Sequence, residues 1–311
     1  MKSSNIGGQA VMEGIMMRHK DKYSIAVRRP DNEIELKVED YKCVFGNAKF
    51  LKYPLIRGVV SFVDSLVVGT KCLMYSAEIA GDEEDEEDKQ KNAALSEEEL
   101  AAKKAKEDKQ FKWLLYVTVA VSIVVSVAAF MLLPYALASL CRRVGASEFA
   151  VTIVEAFVKL ALFMGYMLLI SRMKDIQRTF MYHGAEHKCI NCIEHGLPLS
   201  VENVRKSSKE HKRCGTSFML FVMIVGIVLL FFVRVESPLM RVIVRIALLP
   251  VIAGISYELI KWAGSSENPV VCILSKPGLW LQGLTTKEPD DEMIEVGIAH
   301  SLRPMLTSRL L

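Results

Sequence analysis

Histidine, tryptophan and proline are scarce in this 311-residue chain, at six, three and ten, and its charges nearly cancel: 39 Lys and Arg face 36 Asp and Glu, a net of +3. So small an excess creates no basic field, and no nucleic-acid partner is expected. The start of the chain has no basic segment leading into an apolar core and a cleavage site, so no leader is expected to be removed. Seven cysteines, an odd number, in soluble parts expected to be cytoplasmic point to thiols or ligands rather than disulfides. Internal repeats of the kind that build many transporters are absent. The glycine-rich GGQAVMEG at 7–14 is not followed by Lys-Ser/Thr and does not fit the dinucleotide fingerprint, which argues against a nucleotide loop. Gln9, Glu13 and Arg18 read instead as a polar strand or turn docked against the membrane part, close enough to complete a site near His183.

What the chain does have is apolar length. Hydrophobic residues make up 51% of it and its mean hydropathy is +0.25, high for a soluble protein. Four runs, 113–140, 149–171, 217–233 and 239–263, approach the ~20 residues a helix needs to cross a ~30 Å hydrocarbon core. The fold class expected is therefore mainly α: a multi-pass membrane protein with about four transmembrane helices and a small N-terminal β-containing unit. A fifth run, 55–79, carries Arg57, Asp64 and Lys71, which predicts an amphipathic surface helix or a re-entrant segment. Lys and Arg concentrate before the first run and in 172–216, whereas the opposite loops hold only Arg142, Arg143 and Arg234. By the positive-inside bias the N-terminal part, the 172–216 loop and the C-terminal tail face the cytoplasm. Membrane lipid is the expected partner, with the basic residues attracted to anionic headgroups; protein partners are left open, a homo-oligomer included.

The polar segments complete the organisation. YSIAVRRPDNEIELKVEDY at 23–41 alternates apolar and polar residues around Pro30-Asp31-Asn32, a hairpin pattern within a β unit at 1–50. Segment 51–80 holds the amphipathic or re-entrant helix. Segment 81–112 is a charged linker that cannot bury a core, with Ser96 and Glu99 at capping-box spacing. The membrane domain spans 113–263, and the tail 264–311 contains Pro289-Asp290-Asp291-Glu292, which opens a short helix through Ala299. Glu155 and Lys159, four apart, read as an intrahelical pair or as part of a polar path.

Chemistry concentrates in FMYHGAEHKCINC at 180–192. On a helix, His183 and His187 share a face with Glu186 beside them. This His-x-x-Glu-His order suits two neutral imidazoles holding a divalent transition metal, zinc above all, with Glu186 activating a water on it. The bland alternative is polar packing in a loop. A second ligand set overlaps: Cys189-x-x-Cys192 and His211-x-x-Cys214 have the spacing of a structural zinc ribbon, which would leave Glu186 without a role. Glu258, near the end of the last run, is a candidate carboxylate ligand or the ion-pair partner of Lys261 or a basic loop residue.

GGQAVMEGIMMR at 7–18, YHGAEHK at 182–188, HKRCGTSF at 211–218, GISYE at 254–258 and QGLTTKEPDD at 282–291 resemble the YqhQ-like bacterial membrane proteins. The blocks recur in order along almost the whole chain. The resemblance implies a bacterial cytoplasmic membrane location and a family of unknown function labelled only as predicted metal-dependent enzymes. It also implies that Cys189 departs from a position more often threonine, leaving His183, Glu186, His187, His211 and Cys214 as the better set. The leading expectation is a metal-dependent hydrolase whose site opens at the cytoplasmic face, with His183 and His187 as ligands, a third ligand from His211, Cys214 or Glu258, and Glu186 as catalytic base. The alternatives are a transporter, a lipid-handling protein or an interaction scaffold with a structural metal or polar cluster.

Overall fold

The computed structural model describes residues 4–46, 48–81, 97–233, 235 and 237–308. In chain order these form β1 (Gly7–Val11), β2 (Gly14–His19), β3 (Lys22–Arg28), β4 (Ile34–Asp40), α1 (Ile56–Ala80) and α2 (Glu97–Val127). A π turn (Ala128–Leu132) leads into α3 (Leu133–Arg143). Then come α4 (Glu148–Ile170), α5 (Lys174–Glu194), α6 (Val201–Lys206), α7 (Gly215–Phe232), α8 (Pro238–Ser265), α9 (Pro269–Thr285) and α10 (Asp291–Ser308). The protein is mainly helical, as the composition predicts, and the expected N-terminal β unit is a four-stranded antiparallel sheet. Ser96, the expected helix cap, lies outside the described residues.

Among the described residues five helices are long and apolar enough to cross a membrane: Ile56–Ala80, Tyr116–Arg143, Glu148–Ile170, Gly215–Phe232 and Val242–Ser265. Four of them match the predicted runs. The first is the segment whose internal charges pointed to a surface helix. Large apolar side chains along the others, such as Phe157 and Phe232, are exposed, as lipid-facing residues are.

The chain divides into two compact units, 1–81 with 167–311, and 82–166. In the second unit, Arg142 donates to Glu148 at 2.7 and 2.8 Å across the α3–α4 turn. Lys159 lies 3.5 Å from Glu155 as an i, i+4 pair, and Phe130 meets Tyr166 edge-on at 5.9 Å.

In the first unit the sheet is an antiparallel meander in the order β1-β2-β3-β4. The hairpin predicted around residues 30–32 is β3–β4, with Arg28 opposite Ile34 and Lys22 opposite Asp40. Because side chains alternate along a strand, the two faces bury different sets. Ile15, Met17 and Ala26 pack with Tyr182, Ala185, Cys189 and Ile190 of α5 and with Met293, Ile294 and Val296 of α10. Val11, Met16, Ile25 and Val27 pack with Val68 and Cys72 of α1. A one-residue slip in register would exchange these two faces, so the double burial pins the pairing.

Helix α1 ties the sheet to α8. Toward its C-terminal end, Ser76 Oγ accepts from Met12 N–H at 3.1 Å and Tyr75 donates to Glu35 at 2.5 Å. At its N-terminal end, Arg57 forms a two-pronged pair with Glu258 on α8. Gly58 abuts Gly254 so closely that a Cβ there would come within 2.9 Å of the Gly254 Cα.

Candidate metal centre

Helix α5 carries the site on one side and the core on the other. Two residues advance a helix by about 200°, so His187 points nearly opposite Ala185 and Cys189, which are fully buried against the sheet side. His183 lies one turn before His187, with ring centroids 4.4 Å apart.

Three side chains of α5 then fix the end of α6 and the backbone that follows it. His187 Nδ1 bonds Lys209 O at 2.6 Å. Lys188 Nζ donates to Arg205 O at 2.8 Å and Ser207 O at 2.9 Å, and Asn191 Nδ2 donates to Ser208 O at 2.7 Å and Glu210 O at 2.9 Å. The segment so held delivers Cys214, the N-cap of α7, whose sulfur accepts from Thr216 N–H at 3.4 Å. From another direction the residues after α9 lie along α5: Lys287 N–H donates to Phe180 O at 3.0 Å, and the Lys287 carbonyl occupies the place a Cβ on residue 184 would need. Glycine at 184 is thus a requirement of packing, although it lowers intrinsic helix propensity. The same approach lets Thr285 O bond His183 Nδ1 at 2.9 Å.

His183, His187 and Cys214 come together as a result, each offering a ligand atom within 4.8 Å of the others, and Cys214 Sγ lies 3.4 Å from His183 Nε2. The donor set fits a borderline-soft divalent cation. Zn–S of ~2.3 Å and Zn–N of ~2.0–2.1 Å at a tetrahedral angle separate sulfur from nitrogen by ~3.5 Å. Both Nδ1 atoms are committed to backbone carbonyls, which turns each Nε2 toward the cluster, the outer-shell arrangement typical of metal-bound imidazole. Burial holds His187 below the ordinary histidine pKa, against the raising influence of Cys214, and so favours the neutral ring a metal binds.

Glu186 is not one of the three donors, and its carboxyl lies against Gly8 at the sheet edge. A Cβ added to Gly8 of β1 would stand 2.6 Å from its Oε1. Its Oε2 is buried with no hydrogen-bond partner among the described residues, and burial pushes the carboxyl up to about 7, with His183 acting in the opposite direction.

The other candidates lie elsewhere. The His211 ring is 5.8 Å from that of His187, and its Nε2 lies 3.4 Å from Glu194. Glu194 also accepts from Ser4 N–H and Oγ, each at 2.8 Å, and from Arg213 at 2.5 Å. Glu258 is paired with Arg57 and accepts from Leu55 N–H at 3.4 Å. Cys192 directs its thiol to Leu197 O and Pro198 O, at 3.8 and 3.6 Å, while Cys189 sits against Gly297 and burial raises its thiol pKa. Both cysteines thus belong to the core, and Cys214 alone of the ribbon pattern reaches the cluster. Glu13, from the glycine-rich block, docks on α5 by pairing with Arg178 and accepting from Tyr182 Oη at 3.1 Å.

Sequence reasoning did not find the carbonyls of Lys209 and Thr285, since a backbone acceptor has no signature in residue type. Glu194, Asn191 and Gln282 were also missed; Gln282 grips His211 through its backbone N–H at 3.0 Å and carbonyl at 2.8 Å. Their signal was polarity within otherwise apolar helical faces.

Residues 53–307 match a family model described as "Protein of unknown function (DUF1385)". The chain is 39% identical over 305 residues to the "Uncharacterized protein YqhQ" of Bacillus subtilis (strain 168), covering 94% of this chain and 89% of that one. No solved structure matches the chain. With most of its length matched by the model and more than a third of its residues shared with that relative, this chain belongs to the DUF1385 family of YqhQ-like proteins.

Proposed function

We infer that this protein is a membrane-embedded, metal-dependent hydrolase acting at the cytoplasmic face on a peptide or lipid-derived bond. The observation that carries the reading is the His183, His187 and Cys214 cluster: three N and S donors with both Nδ1 atoms satisfied elsewhere, a ligand count that leaves one of four tetrahedral positions for a reactant. A divalent ion there supplies Lewis acidity and lowers the pKa of water.

The chain's own groups divide the remaining work. Thr285 O and Lys209 O orient the two imidazoles. Glu186, one residue from His187 and with one oxygen unpartnered, is the base that accepts a proton from the attacking water. Water oxygen joins the carbonyl carbon, the bond from that carbon to nitrogen or oxygen breaks, and the proton passes to the leaving group.

Packing also supports the orientation. The sheet at residues 7–40 buries its face on α5 and α10, so these parts share one side of the bilayer. An odd number of crossings between residues 40 and 174 would separate them. Three candidate spans lie among the described residues of that interval, and α1, which binds the sheet at one end and α8 at the other, is the one that rests at the surface. Four crossings follow, with both termini cytoplasmic by the distribution of Lys and Arg.

The burial of His187 and Cys214 favours a second reading, a structural ion in a scaffold. Elemental analysis of detergent-purified protein together with a hydrolysis screen separates the two. The hydrolase reading expects about one equivalent of metal in Glu186→Gln with turnover abolished. Activity unaffected by that change, or no metal after gentle purification and re-addition, overturns it.

A further inference from the structure

Strand β1 is an edge of the sheet. Two-residue turns join β1 to β2 and β2 to β3, making Val11–Gly14 and His19–Lys22 closing pairs that exchange both backbone hydrogen bonds. Antiparallel alternation then makes Gln9–Met16 and Gly7–Arg18 bonded pairs as well. Gly8 and Ala10 consequently direct their N–H and C=O groups away from β2. Among the described residues nothing pairs with these groups, and Gly7 and Gly8 are exposed.

The metal-site helix lies along this strand. Glu13 pairs with Arg178 at one end, Gly8 meets Glu186 in the middle, and Ser4 donates to Glu194 at the other end, so α5 runs antiparallel to β1. On the same face of the sheet α10 lies beside α5, with Gly297 against Cys189. His187 points away from Cys189, and therefore past the free edge of β1. A chain added to that edge would pass Glu186 and run beside His183 and His187.

We propose that β1 binds an extended polypeptide by strand addition and that this polypeptide is the substrate of the metal site. The inference rests on the hydrolase reading and deepens it by choosing between peptide and lipid. Gly8 and Ala10 offer donors and acceptors in alternation, which only another backbone repeats at the same spacing. An acyl chain would cover those groups without satisfying them, at the cost of unmatched polar atoms. The missing side chains at Gly7 and Gly8 keep the approach flat: a Cβ at Gly7 would meet nothing within 4 Å. In the reaction Glu186 takes one proton from water as the water oxygen bonds to the carbonyl carbon, the scissile C–N bond breaks, and that proton passes to the nitrogen of the departing amine.

The probe is reduced β-casein, an unfolded polypeptide, added to the full-length detergent-solubilised protein. Amide hydrogen exchange over residues 7–11 is expected to slow on saturation. Ala10→Pro, which deletes one outward N–H and is tolerated on an edge, is expected to weaken casein binding by about threefold to tenfold. Metal content and the thermal midpoint should stay at their original values. Unchanged exchange at 7–11, unchanged affinity in Ala10→Pro, or no casein binding overturns the proposal. So does protection that is present without casein and rises with protein concentration, which would assign the edge to a second copy. Protection without turnover would retain the binding edge and sink the hydrolase reading, whereas turnover without protection would do the reverse.

Discussion

The two sides of α5 use the same few residue types for opposite ends. On one side Cys189 and Cys192 are small apolar groups in a core closed by the sheet and α10. On the other, His183 and His187, with Cys214 brought across from α7, form a polar cluster whose backbone partners are all fixed. The lesson is that ligand spacing along a helix says little until the face is known. Cys189 and Cys192 have ideal zinc-ribbon spacing and point into packing, while Cys214, 27 residues after His187, meets the histidines because Lys188 and Asn191 hold the intervening backbone.

The sharpest way to break this comparison is to delete one group from each side. His187→Ala should cost more metal affinity than the ~10–100-fold typical of losing an outer-shell partner, while Cys189→Ala should keep stoichiometric metal. Elemental analysis after dialysis against a weak chelator measures both. Loss of metal in the cysteine variant would transfer the site to the other face.

Next in size is the close approach at Gly184. Gly184→Val drives a branched side chain into the Lys287 carbonyl and should destabilise the protein by ~2–3 kcal/mol while weakening metal binding through Thr285. Gly283→Ala, where a Cβ meets nothing within 4 Å, serves as the control and should leave both the denaturation midpoint and the metal content unchanged.

Much of this arrangement was legible in the sequence, and what was not has a physical explanation. His183 and His187 were readable because four residues make one turn, and β3–β4 because Pro30, Asp31 and Asn32 interrupt an alternating pattern. The charged positions Arg57, Asp64 and Lys71 identified α1 as unlike the other apolar runs. Strand β1 was hard to read because Gly7 and Gly8 supply no alternation. The partner of Glu258 was hidden because Arg57 lies 201 residues away, and Lys261, the sequence-near alternative, carried the local signal. Glu186 illustrates the limit most clearly: the motif announces it, but only the fold reveals that Gly8 covers it.

A pH test sharpens the polar side. Burial alone would raise the Glu194 carboxyl, but hydrogen bonds accepted from His211 and Ser4 outweigh this and hold it at about 2, below its ordinary 4.5; Arg213 adds its own bond. A carboxyl held low stabilises the fold above its unfolded pKa, and that contribution drains away as pH falls from 4.5 toward about 2. Metal-free protein should lose ~1–3 kcal/mol through this window, and Glu194→Gln should lack this component of the loss. Denaturant melts at several pH values read it directly; parallel curves for the two proteins would count against the network.

The smallest expected effect separates Glu258 from the cluster. Glu258→Gln removes one partner of a partly exposed ion pair and should cost ~1 kcal/mol or less, without changing metal content. Metal loss in this variant would return Glu258 to the ligand set.

X-ray absorption at the edge of the bound metal, recorded on detergent-purified protein, tests the central claim most directly. With zinc the account predicts one sulfur at ~2.3 Å and two imidazole nitrogens at ~2.0–2.1 Å, completed by a light atom from outside the three side chains. Two or more sulfurs in the shell, or no bound metal under any loading condition, would contradict it.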